Sequence, residues 1–337
     1  MSAGPEILHV GSACRDVAPE AERGWRLGGG VTYAALTTAR LGLRTAAVVG
    51  VDDEARTAFE LDLLRDAGVD LMLVRLSAGP IYHNREAATG RVQTCVQRGG
   101  PLPIPTLPES WGAAPGWSIA PVAAEIGDEW AAIIPDEAFV GIAWQGLLRH
   151  LVDGQRVTRL PPSPSPLIRR GDLVGVSHHD VDPATPLSTL FDLLKPGAAL
   201  LITQGDEGGL LATLGVDGPT EVLRYLPTRT DGEIDPTGAG DTFLAALLAT
   251  VVRPSIAVPS RRPRLDLRFA AAAGSLVVEG PGLAGVPDRP AVVRRRVRER
   301  VRRAIFPTEA SQVGSYPSTA DEARTPGDRA ATPGEGD

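Results

Sequence analysis

The chain has 337 residues, 43% of them hydrophobic and 22% charged, which supplies a sizeable core and excludes wholesale disorder. Its formal net charge of −7, from 41 acidic and 34 basic residues, implies no broad basic surface and argues against nucleic acid or an anionic membrane as main partner. Two cysteines, Cys14 and Cys95, are too few for a disulfide framework or a Cys-rich zinc site; both are expected as buried apolar residues in a reducing compartment. The N-terminal residues show neither a basic n-region nor an apolar h-region, and no run of about 18 apolar residues follows, so a soluble, cytoplasmic protein without membrane contact is expected.

In chain order, Ile7 to Val10 reads as a strand running into Gly11-Ser12. After a polar stretch, Gly28-Gly29-Gly30 precedes a helical pattern from Val31 to Leu41 that Gly42 closes. Thr45 to Val51 is apolar throughout, the pattern of a strand buried on both faces. Glu54 to Ala67 is amphipathic and stopped by Gly68, and Val69 to Leu76 is the next strand. This alternation predicts an α/β fold with a parallel, right-handed βαβ sheet.

Residues 79–100 break the alternation. Ile81 to Glu86 and Arg91 to Gln97 flank Ala87-Ala88-Thr89-Gly90, a hairpin turn, and read as a small antiparallel excursion or lid. Its exposed edge would pair with a second copy in a homodimer, or be shielded by charge. A proline-rich connector follows, then strands at Trp117 to Pro121, Phe139 to Trp144, Leu173 to Val176 and Ala199 to Thr203. Leu210 to Leu214 and Glu221 to Leu226 read as an antiparallel pair. Pro290 to Ile305 is expected as one docking helix, with Val293, Val297, Val301 and Ile305 in a stripe and the arginines on a solvated face. The boundary is set at 306: residues 1–306 form one domain, and 307–337, without apolar periodicity, a disordered tail.

The most informative segment is Asp235-Pro236-Thr237-Gly238-Ala239-Gly240-Asp241-Thr242-Phe243, followed by an apolar helix to Val252. Small residues at a helix N-terminus let orphan backbone N–H groups converge on an anion, favoured further by the helix dipole. An aspartate in the same turn can accept a proton from a hydroxyl beside that anion. Together they are the minimal equipment for phosphoryl transfer to an alcohol. The competing reading is a glycine-rich turn with Asp241 as a helix cap.

This segment closely resembles the C-terminal signature of the PfkB carbohydrate kinases, in the ribokinase-like superfamily. Gly28-Gly29-Gly30-Val31-Thr32-Tyr33-Ala34-Ala35 through Ala39-Arg40-Leu41-Gly42 resembles the N-terminal signature, and Thr203-Gln204-Gly205-Asp206-Glu207-Gly208 the nucleotide-side turn. The resemblance implies a doubly wound, mostly parallel sheet flanked by helices, with a small antiparallel β lid. It implies Asp241 as catalytic base, with the amides of Gly238, Ala239 and Gly240 as an anion hole. Asp16, Gly28 and Gly29 would bind the acceptor, while Thr203, Gly205 and Gly208 would line the ATP side. Asp235 matches a position that holds a monovalent cation in some relatives, with a structural cap as the alternative. Mg²⁺ would be bound mainly through ATP phosphates and water.

Two positions depart from the family pattern. Tyr33 replaces an asparagine, so a substrate hydroxyl contact is lost or remade there. Ser177-His178-His179-Asp180 stands where many relatives carry Asn-x-x-Glu, leaving Asp180 to reach Mg²⁺ through water. Gly90-Arg91-Val92, Gly99-Gly100-Pro101-Leu102 and Gln145-Gly146-Leu147-Leu148-Arg149 resemble the inositol-kinase-like branch. Tyr82, His83, Asn84, Arg85, Gln93, Gln145 and Arg149 are polar groups that would face a polyhydroxy acceptor or lie on the surface. The expectation is therefore an ATP-dependent kinase of a small polyol, a cyclitol such as myo-inositol, or a sugar. The rivals are a nucleoside kinase and a catalytically idle sugar-binding relative.

Overall fold

A computed structural model describes residues 4–87, 90–257, 265–296 and 301–304. The strands are β1 Ile7–Ser12, β2 Cys14–Val17, β3 Trp25–Gly28, β4 Thr45–Val51, β5 Asp70–Arg75, β6 Ile81–Ala87, β7 Gly90–Gln97, β8 Gly116–Ile119 and β9 Phe139–Ala143. They continue with β10 Arg149–His150, β11 Gln155–Arg156, β12 Thr158–Arg159, β13 Leu173–Ser177, β14 Ala199–Thr203, β15 Gly209–Gly215, β16 Gly218–Tyr225 and β17 Val301–Ala304. The helices are α1 Gly30–Arg40, α2 Glu60–Asp66, α3 Glu109–Gly112, α4 Pro166–Arg170, α5 Leu187–Phe191, α6 Ala239–Val252, α7 Leu267–Val277 and α8 Arg289–Arg296.

The main sheet runs β17-β16-β15-β14-β13-β9-β8-β1-β4-β5. From β14 to β5 every pairing is parallel, and beyond β14 every pairing is antiparallel. Residues alternate between the two faces, as a pleated strand requires. Leu8, Val10 and Leu200 pack with α4, α5 and the tryptophans Trp117, Trp130 and Trp144. Ile7, Leu173 and Leu201 meet α6, α7 and Val292 of α8, while Ala47 and Val49 meet α1 and α2. The sheet is thus doubly wound and mostly parallel, with helices on both faces. Thr242 through Thr250 are all buried, so α6 is a central helix, apolar on every side. Cys14 and Cys95 are both buried.

A second sheet, β11-β7-β6-β2-β3, lies beside the main one. It contains the expected hairpin of β6 and β7, whose tip residues Ala88 and Thr89 lie outside the described residues. Its other members, β2 and β3, fall in the stretch read from sequence as merely polar. That sequence alternates too little to announce a strand, and the pairing is supplied by β6.

Two expectations need correction. The amphipathic segment 54–67 yields only a 3₁₀ turn and the short α2. Of the helix expected from Pro290 to Ile305, the described residues hold α8 as far as Arg296, and Val301–Ala304 instead pairs antiparallel with β16. Val292 is the fully buried valine of α8, and Arg295 is buried rather than solvated. Its guanidinium donates to Glu279 and to the carbonyl of Arg229, which replace the hydration it gives up. Val297 and residues 305–337 lie outside the described residues.

Candidate active site

The strand order reverses between β1 and β8, since the chain adds β4 and β5 on one side before β8, β9, β13 and β14 on the other. In open α/β sheets the ligand crevice lies beyond the carboxyl ends of the strands at such a reversal. Here those ends lead into β2, which carries Asp16, and into the loop at 120–126. Glu125 ties the two together. Its buried carboxylate accepts the N–H groups of Ser12 at 3.0 Å, Val122 at 3.1 Å and Ala123 at 2.7 Å. Burial raises its pKa, and these backbone donors oppose the rise. The carbonyl of Val122 in turn accepts the Tyr82 hydroxyl at 2.7 Å and Arg149 Nη1 at 3.2 Å.

Asp241 is the third residue of α6. Gly238 precedes that helix at φ 81°, and a Cβ on it would stand 2.2 Å from Cδ1 of Tyr33. The Tyr33 ring, 2% exposed, therefore lies directly against the turn. The Ala239 N–H reaches the carbonyl of Pro236 at 3.4 Å, while helix geometry leaves the Gly240 and Asp241 N–H groups without intrahelical acceptors. Oδ1 of Asp241 lies 2.7 Å from the Cβ position of Gly30, the first residue of α1. The carboxylate thus sits at the N-termini of two helices, whose dipoles favour negative charge. Burial nonetheless raises its pKa to about 6, with Arg149 pulling it down and Asp180 pushing it up.

Asp16 joins the same constellation. Asn84 Nδ2 donates to its Oδ1 at 3.3 Å, Gln93 Nε2 donates to Asn84 at 2.8 Å, and the Cys14 thiol approaches Oδ2 at 3.7 Å. A Cβ on Gly28 would come within 2.2 Å of that Oδ2. Burial holds both the Cys14 thiol and the Tyr33 phenol well above their usual pKa values, and the charges of Asp16 and Asp241 add to it in each. Asp16, Asp180 and Asp241 are each partly exposed. Cavities of about 430 and 110 Å³ are lined by other residues, among them Asp52 and Gln97 in the first and Trp144 and Ile168 in the second. None of the three carboxylates lines either of these spaces.

The other predicted residues are placed as follows. Thr203 ends β14, and its carbonyl accepts from the backbone N–H of His178. Gly205 is exposed in the turn after it, and Gly208 is buried at φ 86° against the carbonyl of Tyr225. Asp180 accepts from Gln145 Nε2 at 3.3 Å and from the Ser177 N–H at 3.2 Å. The rings of His178 and His179 lie tilted by 39° with centroids 3.7 Å apart, and no cluster of three metal-binding side chains occurs among the described residues. Sequence reasoning missed Glu125, although an isolated acid inside Val122-Ala123-Ala124-Glu125-Ile126 was a usable signal. It also missed Arg26, whose strand was unrecognised.

Residues 172–289 match the family described as pfkB family carbohydrate kinase. The chain therefore carries a PfkB family domain, within which the turn at 203–208 and the loop at 235–241 both fall. PfkB kinases are phosphotransferases with hydroxyl acceptors. No curated protein sequence matches the chain. Among solved structures it is similar to a pyrophosphate-dependent kinase in the ribokinase family complexed with a pyrophosphate analog and myo-inositol: 20% identity, TM-score 0.61, covering 85% of this chain and 98% of that one. It is also similar to Arabidopsis thaliana ribokinase complexed with ribose and ATP: 19% identity, TM-score 0.57, covering 87% and 99%. A Methanocaldococcus jannaschii nucleoside kinase gives 16% identity and TM-score 0.59, covering 88% and 99%. The fold is that of the ribokinase family. No helix among the described residues is long and apolar enough to cross a membrane.

Proposed function

We propose that the chain phosphorylates a hydroxyl of a small polyol, cyclitol or sugar, with Asp241 as the base. The observation that carries this reading is the placement of the Asp241 carboxylate at the first turn of α6, facing the N-terminus of α1, with Arg149 and Asp180 acting on it. Asp241 ionised would take the acceptor proton as the hydroxyl attacks the donor phosphorus in line. Amides of the Gly238–Asp241 turn would receive the negative charge that builds on the transferred group, normally the larger contribution. Asp16, oriented by Asn84 and Gln93, would hold acceptor hydroxyls. The β6–β7 hairpin would act as a lid, shedding water from the crevice.

ATP is the proposed donor, with Thr203, Gly205 and Gly208 on its side. Asp180 would hold Mg²⁺ through water, and the ion would neutralise phosphate charge when bound. The test is a matrix of donors and acceptors followed by phosphorus NMR. ATP and inorganic pyrophosphate are each combined with myo-inositol, ribose, fructose and adenosine. A phosphomonoester formed by the wild type and lost in D241N supports the reading. Absence of product from every pair, with acceptor binding intact, would instead favour a sugar-binding protein without turnover.

A further inference from the structure

The family resemblance calls for a monovalent cation at Asp235, and the residues present do not fit one. Oδ1 of Asp235 accepts the Thr237 N–H at 2.9 Å, and Oδ2 accepts the Gly282 N–H at 3.2 Å. Oδ2 also faces Nη1 of Arg26 at 3.9 Å. A cation site requires free oxygen lone pairs converging on one point. Each oxygen here already accepts one backbone N–H, and Oδ2 in addition faces the full positive charge of Arg26, which opposes a second cation beside it.

We infer that Arg26 takes the place of the monovalent cation, and that through Asp235 it is a positioning residue for the anion-binding turn. Three further observations support this role. Arg26 lies on β3 directly opposite Asp16 on β2, so one register pair carries the acceptor-side carboxylate and the cation that reaches the turn. Cδ of Arg26 stands 4.0 Å from the Cβ position of Gly282, which puts the arginine stem alongside the loop that donates to Asp235. Asp16, Asp235 and Asp241 all act electrostatically on Tyr33, the ring packed against Gly238. An incoming phosphate would add to that negative charge, which Arg149 opposes at Asp241 and Arg26 opposes at Asp235. Arg26 also pairs with Glu20 at 3.0 Å, which steadies the side chain from the solvent side.

The anion part of this inference rests on the proposed function, whereas the cation part does not. Its test therefore has two arms, both on the full-length protein. In the first, thermal unfolding is followed in KCl, NaCl and tetramethylammonium chloride at equal ionic strength. The wild type should melt at one temperature in all three, and a rise specific to K⁺ or Na⁺ overturns the inference. In the second, inorganic pyrophosphate is titrated calorimetrically into the wild type, R26A and R26K. A partly exposed pair of this kind should leave R26A about two- to fivefold weaker, with R26K close to wild type. Unchanged affinity in R26A overturns the positioning role. Should the wild type fail to bind pyrophosphate at all, the positioning role of Arg26 toward an anion is overturned, the ATP-dependent transfer is judged separately by the donor and acceptor matrix, and the salt comparison alone decides the cation question.

Discussion

Oδ1 of Asp241 lies 2.7 Å from where a Cβ on Gly30 would stand, so the missing side chain of one helix makes room for the carboxylate of another. Gly30 opens the 11-residue helix α1 without strain at its own φ, and alanine would suit α1 better on propensity alone. G30A is therefore expected to keep the fold while displacing the carboxylate. A misplacement of about 1 Å near the reacting atoms costs on the order of 10²-fold in turnover. Steady-state kinetics of G30A beside its melting curve provide the check; wild-type kcat would contradict the placement.

The pKa of Asp241, raised by burial from 3.8 to about 6, fixes two signs. As the base it must be ionised, so kcat/KM should rise with pH through about 6 and then level off. For stability, the folded state binds this proton more tightly than the unfolded state. This carboxylate's contribution therefore declines as pH rises from 3.8 to about 6. D241N removes that cost and should melt at or above the wild-type temperature at neutral pH, while losing about 10²–10⁴-fold in kcat. Denaturation curves at pH 5 and pH 8 test the second sign, since the gain should be larger at pH 8.

Arg149 opposes the raised pKa of Asp241 and donates to the carbonyl of Val122, which also receives the Tyr82 hydroxyl. R149M keeps much of the stem, and Tyr82 continues to satisfy that carbonyl, so the protein should fold. Without the guanidinium the pKa of Asp241 climbs further. The acid limb of the pH–rate profile should accordingly move to higher pH. A limb that stays in place would remove Arg149 from the base's surroundings.

The main sheet was legible because its parallel strands are buried on both faces and read as continuous apolar runs, as Thr45 to Val51 does. The glycine-rich turn ahead of α6 was legible because the helix start is written in local residues, with Gly238 in the left-handed region at φ 81° just before Ala239. What escaped is held by partners distant in sequence. Strand β2 owes its extension to β3 and β6, and Glu125 is explained only by amides at Ser12, Val122 and Ala123. The arginines of α8 misled for the same reason, because the partner that buries Arg295 is Glu279 on another segment. The apolar stripe of Val293 to Ile305 suits a helix or an edge strand. Pairing with β16 decides it for Val301–Ala304.

Tyr33 separates a substrate contact from a structural support. Its ring is 2% exposed and fills the space beside Gly238, where even a methyl group would collide with it. The ring, more than the hydroxyl, is then what the turn needs. Y33F should keep kcat and both KM values within about twofold, because aromatic volume is conserved. Y33A should cost about 3–5 kcal/mol of stability, as aromatic deletions in cores do, and it should weaken inorganic phosphate or pyrophosphate binding as the turn relaxes into the void. Y33N would restore the polar group carried by the family, at the expense of that packing. If Y33F instead raised the acceptor KM tenfold and left stability unchanged, the hydroxyl would be a substrate ligand and the ring merely its carrier.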